Sequence, residues 1–163
     1  MKKKIPLSLT VNGEEVDLYI SPSRTLLEVL REELELAGTK ESCGEGVCGS
    51  CTVLCDGIPI RSCLTLAMEV EGHEITTVEG LGEKGKLDPL QQSFIDHGAV
   101  QCGFCTPGML MSVKGLLNRN PAPNEDEIRR GISGNTCRCT GYAKIVEAVT
   151  AVTTRSGRNT TGS

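Results

Sequence analysis

The sequence predicts an α+β chain in two parts, a small sheet-rich half followed by a helical half. Three observations predict it. Apolar residues alternate with period two in short runs as far as residue 78, the period changes to 3.6 from about residue 80, and the intervening Gly80-Leu-Gly-Glu-Lys-Gly-Lys86 has the glycine and charge of a linker. One domain is therefore expected over 1–80 and a second over 81–152. A flexible tail is expected over 153–163, where Thr153 to Ser163 includes no apolar residue.

The elements follow in order. Ile5, Leu7, Leu9 and Val11 alternate, Asn12-Gly13 supplies a tight turn, and Val16, Leu18 and Ile20 alternate again, which is a hairpin pattern. Thr25 and Glu28 form a capping box for a helix whose Leu26, Leu27, Leu30 and Leu34 share a face, with Gly38 as its expected stop. Thr52 to Cys55 and Ile58 to Ser62 read as strands around an Asp56-Gly57 turn, and Glu74 to Val78 as another strand. In the second half, Asp88 caps a helix with Pro89 in its first turn and Gly98 at its end, and Thr106-Pro107 starts the next. Asn124 with Glu127 caps a third helix, and Thr140 is expected to cap a fourth that carries Ile145, Val149 and Val152.

Composition narrows the function classes. Halves of about 80 residues bury too little apolar surface to be generously stable, and only 2% of the 163 residues are aromatic, so something besides a core must hold each half together. The chain has nine cysteines, and Met1-Lys-Lys-Lys4 is not followed by the continuous apolar run of a secretory signal or membrane span. Metal is favoured over disulfides, and a cytoplasmic location is expected. A net charge of -4 with no basic cluster after Lys4 argues against a nucleic-acid partner.

The cysteines fall into two sets. Cys43-Gly-Glu-Gly-Val-Cys-Gly-Ser-Cys51 has the x4, x2 spacing of plant-type ferredoxins, and Cys63 can return a fourth thiolate after eleven intervening residues. Gly44, Gly46 and Gly49 let the backbone wrap closely and aim amide N–H groups at sulfur, as a 2Fe-2S cluster of four thiolates requires. A structural zinc site accepts the same ligands but usually draws them from two close pairs. The second set is Cys102-Gly-Phe-Cys105 with Cys137-Arg-Cys139, each pair placed just before an expected helix start, where free N–H groups favour thiolates. A redox dithiol at Cys102 and Cys105 would need a βαβ context that is missing. Cys55 falls outside both spacings and reads as a strand residue without a ligand role. Neither His73 nor His97 stands in a pair that could replace two thiolates on one iron, and no nucleophile–base set or phosphate loop is visible.

Three motifs then carry a resemblance. Glu41-Ser-Cys-Gly-Glu-Gly-Val-Cys-Gly-Ser-Cys-Thr-Val53, Gln101-Cys-Gly-Phe-Cys-Thr-Pro-Gly-Met109 and Gly134-Asn-Thr-Cys-Arg-Cys-Thr-Gly-Tyr142 are similar, in order and spacing, to the signatures of the iron-sulfur subunit of the xanthine oxidase family of molybdenum hydroxylases. The resemblance covers residues 5 to about 152. It implies a plant-ferredoxin-like β-grasp followed by a four-helix bundle, each holding a 2Fe-2S cluster, in an electron-transfer subunit with no substrate-transforming site of its own. It implies that Cys102, Cys105, Cys137 and Cys139 bind the cluster nearer a molybdopterin subunit, with Gln101 facing the pterin. Cys43, Cys48, Cys51 and Cys63 would bind the cluster nearer an FAD subunit. Ser42 and Ser50 stand where glycine and alanine are usual in the family, and neither is a ligand position. A separately encoded subunit of an αβγ hetero-oligomer is expected, against the alternatives of a free two-cluster ferredoxin or a zinc-stabilised interaction module.

Overall fold

The computed structural model describes residues 4–83 and 85–158. It is an α+β molecule in which a five-stranded mixed sheet is followed by helices. The strands are β1 (Ile5–Val11), β2 (Glu14–Ile20), β3 (Thr52–Cys55), β4 (Ile58–Arg61) and β5 (Glu74–Thr76), in the order β2-β1-β5-β3-β4. Only the β1–β5 pairing is parallel. Both expected two-residue turns form. Asn12 and Gly13 stand at φ 52° and 82°, and Asp56 and Gly57 at 48° and 78°, the left-handed pair that matches the twist of the flanking strands. On β1 the alternation places Leu7, Leu9 and Val11 inward, against Ile20 of β2.

The helix expected after the hairpin is shorter and wider than its pattern suggests. Thr25 and Glu28 make the capping box, and α1 (Leu26–Glu28) passes directly into a π-helical turn over Val29–Glu33, closed by Leu34 N donating to Val29 O at 3.1 Å. It stops at Glu35, whose φ is 57°, and not at Gly38. The Gly38 amide instead donates to Glu79 Oε1 at 2.7 Å, fastening this loop to the turn that follows β5. Leu26, Val29 and Leu30 are buried against the sheet, each such side chain contributing about 1.5–3 kcal/mol. The strand expected over 74–78 ends at Thr76, and Val78–Gly80 forms a 3₁₀ turn.

Four helices follow: α2 (Pro89–Asp96), α3 (Thr106–Arg119), α4 (Glu125–Ile132) and α5 (Ala143–Arg158). Asp88 and Asn124 cap α2 and α4 as expected, each with a reciprocal bond from the third residue of its helix. Thr140 does not cap α5. Its hydroxyl accepts from Tyr142 N at 3.1 Å, Tyr142 takes a φ of 68°, and α5 begins only at Ala143. Residues 153–158, expected to open a flexible tail, continue α5, with Thr153 Oγ1 and Thr154 Oγ1 donating back to Thr150 O. Residues 159–163 lie outside the described residues. Phe94, Met109, Ile128, Ile132, Ile145 and Val149 form a second core, separate from that under the sheet.

The two cores meet along α3, which packs on β3 and β4. Gly108 and Gly115 make that approach possible. A Cβ on Gly108 would stand 2.3 Å from Gly49 O, and one on Gly115 would stand 2.2 Å from the Pro59 ring, so only hydrogen fits at either point. Seven residues separate these glycines, which puts both on one face of the helix. Among the described residues no helix is long and apolar enough to cross a membrane.

Candidate metal centres

Each group of four sequence-predicted cysteines is brought together, and each resolves into two contacting pairs. In the first group Cys51 Sγ and Cys63 Sγ are 3.3 Å apart, while Cys43 and Cys48 share a hydrogen bond between their side chains. In the second, Cys139 Sγ and Cys102 Sγ are 3.5 Å apart, and Cys105 is bonded to Cys137. A disulfide needs about 2.05 Å between sulfurs, whereas two thiolates on one tetrahedral metal at about 2.3 Å stand roughly 3.7 Å apart. All nine thiols are free. Two pairs per group is the arrangement two irons need, since each takes two protein thiolates beside the shared sulfides.

The backbone is shaped for anionic sulfur at the first centre. Gly44, Gly46 and Gly49 have φ of 67°, 73° and 73°, which turns the Glu45 and Cys48 amides onto Cys43 Sγ at 3.4 and 3.5 Å. Burial pushes the Cys48 thiol up, but hydrogen bonds from the Ser50 backbone and hydroxyl and from Cys43 outweigh it and hold the thiol at about 6. Burial pushes Cys63 up to about 11, helped by the bonded Cys51 thiol and its charge. The surroundings thus favour the thiolate at one member of the set and the thiol at another.

The second centre has the same asymmetry and a different geometry. Cys105 is the residue that precedes α3, with Pro107 in the first turn. Cys137 and Cys139 do not stand at a helix start, because α5 begins four residues beyond Cys139. Thr140 substitutes for the helix end. Its hydroxyl lies 3.1 Å and its amide 3.5 Å from Cys137 Sγ, and these bonds lower the Cys137 thiol against the upward push of burial. Burial and the bonded Cys137 push Cys105 up to about 12. Gln101, Cys102 and Cys139 are exposed on the same rim as Phe104, which is 46% exposed.

Several residues that couple the centres carry no signal in the sequence. Cys48 O accepts from Thr136 N at 2.8 Å, so a thiol-bearing residue of the first centre bonds to the neighbour of Cys137 in the second. Asn135 is 3% exposed and donates through Nδ2 to Gly49 O at 2.9 Å, while its Oδ1 accepts from Ser112 of α3 at 2.6 Å. Arg61 spans the same seam, donating to Gly46 O at 3.3 Å, to Thr52 Oγ1 at 2.6 Å and to Gly134 O at 2.8 Å. The pairs that cross between the two centres, Thr136 with Cys48, Asn135 with Gly49 and Arg61 with Gly134, are 73 to 88 residues apart in sequence, beyond the reach of any local pattern.

Cys55 lies at the end of β3 and belongs to neither group. Replacing it by serine is expected to leave the iron content of the purified protein unchanged. Loss of half the iron, measured by metal analysis, would instead make Cys55 a ligand.

Comparison with known proteins identifies 2Fe-2S domains in both halves of the chain. Residues 9–81 match the family described as 2Fe-2S iron-sulfur cluster binding domain, and residues 77–150 that described as [2Fe-2S] binding domain. The nicotinate dehydrogenase small FeS subunit of Eubacterium barkeri is 49% identical over 146 residues, covering 90% of this chain and 93% of that protein. In the crystal structure of quinoline 2-oxidoreductase from Pseudomonas putida 86, a chain superimposes with a TM-score of 0.91 at 51% identity, covering 96% of this chain and 98% of that one. The aldehyde oxidoreductase of Desulfovibrio gigas superimposes with a TM-score of 0.90 at 41% identity, and there the match covers 96% of this chain but 18% of that one.

Proposed function

The chain belongs to the iron-sulfur subunits of the xanthine oxidase family of molybdenum hydroxylases, and on that premise we propose that it joins a molybdopterin subunit to an FAD subunit in the cytoplasm. It is an electron-transfer subunit of an oxidoreductase complex. The observation that carries this reading is the hydrogen bond from Thr136 N to Cys48 O, which ties a cysteine of the first four-thiol set to the residue before Cys137 of the second.

Each bound 2Fe-2S cluster would supply a relay that takes and gives up one electron at a time. The chain's own residues do the rest. Cys43, Cys48, Cys51 and Cys63 hold one cluster within residues 1–80, a plant-ferredoxin-like β-grasp supported by the mixed sheet and its own core. Cys102, Cys105, Cys137 and Cys139 hold the other within residues 81–152, a four-helix bundle. Asn135 and Arg61 keep the two ligand loops in register, so their separation does not drift as the surfaces breathe. Val47 and Leu64, 70% and 60% exposed beside the first loop, await cover by the FAD subunit. Phe104 and Gln101 at the second loop face the molybdopterin subunit, which excludes water from the exposed Cys102 and Cys139.

Co-expression of the full set of subunits tests the proposal. The chain is expected to purify with two larger subunits that contain molybdenum and flavin, and a chain recovered alone with both clusters would sink it in favour of a diffusible ferredoxin. Within the complex, Gln101→Ala is expected to slow cluster reduction by substrate about tenfold in stopped-flow traces while the iron content holds, because it removes a polar contact at the subunit boundary and no thiolate. Unchanged traces would refute a role for Gln101, and lost iron would make it a support of the cluster.

A further inference from the structure

The cysteine that neither centre uses is not alone in the fold. Cys55 Sγ, a carboxylate oxygen of Asp56 and a ring nitrogen of His73 all lie within 4.8 Å of one another at the outer end of the sheet. We propose that these three side chains form a binding site for a divalent transition-metal ion of the zinc class, separate from the iron sites, that clips the β3–β4 turn to the start of β5.

Three observations carry it. The first is the donor set, since one thiol, one imidazole and one carboxylate are three of the ligand types zinc accepts, and sulfur with nitrogen disfavours magnesium and calcium. The second is convergence, because His73 comes from a different segment, 17 residues from Asp56, and already contacts its carboxylate with Nδ1 2.6 Å from Oδ2. The third is the frame. Cys55 is paired with Ile58 across the hairpin and with Ile75 of β5. Asp56 N donates to Glu74 O at 2.8 Å, Glu74 N donates to Asp56 Oδ1 at 3.0 Å, and His73 O accepts from Thr10 N at 3.2 Å. All three backbones are therefore held by ladder or turn bonds before any ion arrives, so binding orders little chain. The Glu74 amide on Oδ1 orients the carboxylate from behind, as an outer-shell donor does at metal sites. Three protein ligands leave a fourth tetrahedral position for water.

The test uses the full chain with both iron clusters loaded, so that free cluster cysteines do not compete. Equilibrium dialysis against zinc, followed by metal analysis, is expected to find about one zinc per chain with iron undiminished. Zinc-edge X-ray absorption of the wild-type protein is expected to show one sulfur and the remainder nitrogen or oxygen. Cys55→Ser and His73→Ala should each weaken zinc binding at least about tenfold without loss of iron. Zinc coordinated by four sulfurs, zinc gained at the expense of iron, or equal binding by both variants would each overturn the site. So would failure of the wild-type protein to retain zinc.

Discussion

Stripping the iron from this chain is expected to unfold it. Each core is small: the sheet half buries α1 and one face of five short strands, and the helical half relies on side chains from four helices. What joins distant parts of each half is the sulfur set, running from Cys43 to Cys63 in one and from Cys102 to Cys139 in the other. Without metal, four sulfurs crowd together in each set, and burial with neighbouring sulfur pushes the Cys63 and Cys105 thiols up to about 11 and 12. Chelation is expected to cost on the order of the whole 5–15 kcal/mol that holds a native domain together. About four irons and four acid-labile sulfides per loaded chain are expected beforehand. Circular dichroism during chelation is the measurement. An apo-protein that kept a native spectrum and a cooperative thermal transition would show that the cores suffice.

Asn135→Ala is expected to produce the largest loss from any residue outside the thiols. The side chain is buried, it donates to Gly49 O in the first cysteine loop and more weakly to Thr52 Oγ1, and it accepts from Ser112 on α3. Truncation removes all three bonds and leaves the buried Ser112 hydroxyl facing a void, at a cost of about 2–4 kcal/mol. For a chain of this size that corresponds to a fall of roughly 5–15 °C in Tm, read by thermal unfolding of the iron-loaded protein. Because Asn135 also neighbours Thr136, whose amide reaches Cys48 O, low-temperature EPR of the fully reduced protein should show a weakened magnetic interaction between the two clusters. Asn135→Asp should be worse than alanine in stability, since it turns a donor on Gly49 O into a charged acceptor. A wild-type Tm with an unchanged EPR spectrum would show that Arg61 and the Thr136 bond fix the seam unaided.

Much of this molecule is local chemistry, and local chemistry is legible in a sequence. Hairpin turns at Asn12-Gly13 and Asp56-Gly57 follow from residues that tolerate positive φ, and the caps at Thr25, Asp88 and Asn124 follow from side chains that reach amides two or three residues away. The cysteine spacings belong here too, because the loop from Cys43 to Cys51 is short enough for its own glycines to dictate its path. Where the sequence misled, a nearby hydrogen bond outcompeted the pattern. Thr140 has the identity of a helix cap, yet it bonds to Tyr142 N and Cys137 Sγ and delays α5 to Ala143. Gly38 has the identity of a helix stop, yet the turn ends at Glu35, whose positive φ of 57° follows the π-helical closure at Leu34.

Composition, periodicity and spacing by themselves determined that this is an α+β chain with closely spaced cysteine groups, since each of these depends on residues within about one element of one another. Only the tertiary structure decided that Thr136 meets Cys48, that Asn135 and Arg61 lock the loops, that Gly108 and Gly115 admit the first cysteine loop and β4 against α3, and that His73 reaches Cys55 and Asp56. Those contacts join segments up to 88 residues apart. Single asparagines, arginines and histidines have no periodicity to betray a distant partner, and their meaning arises when burial of two separate cores brings the seam between them to hydrogen-bond distance.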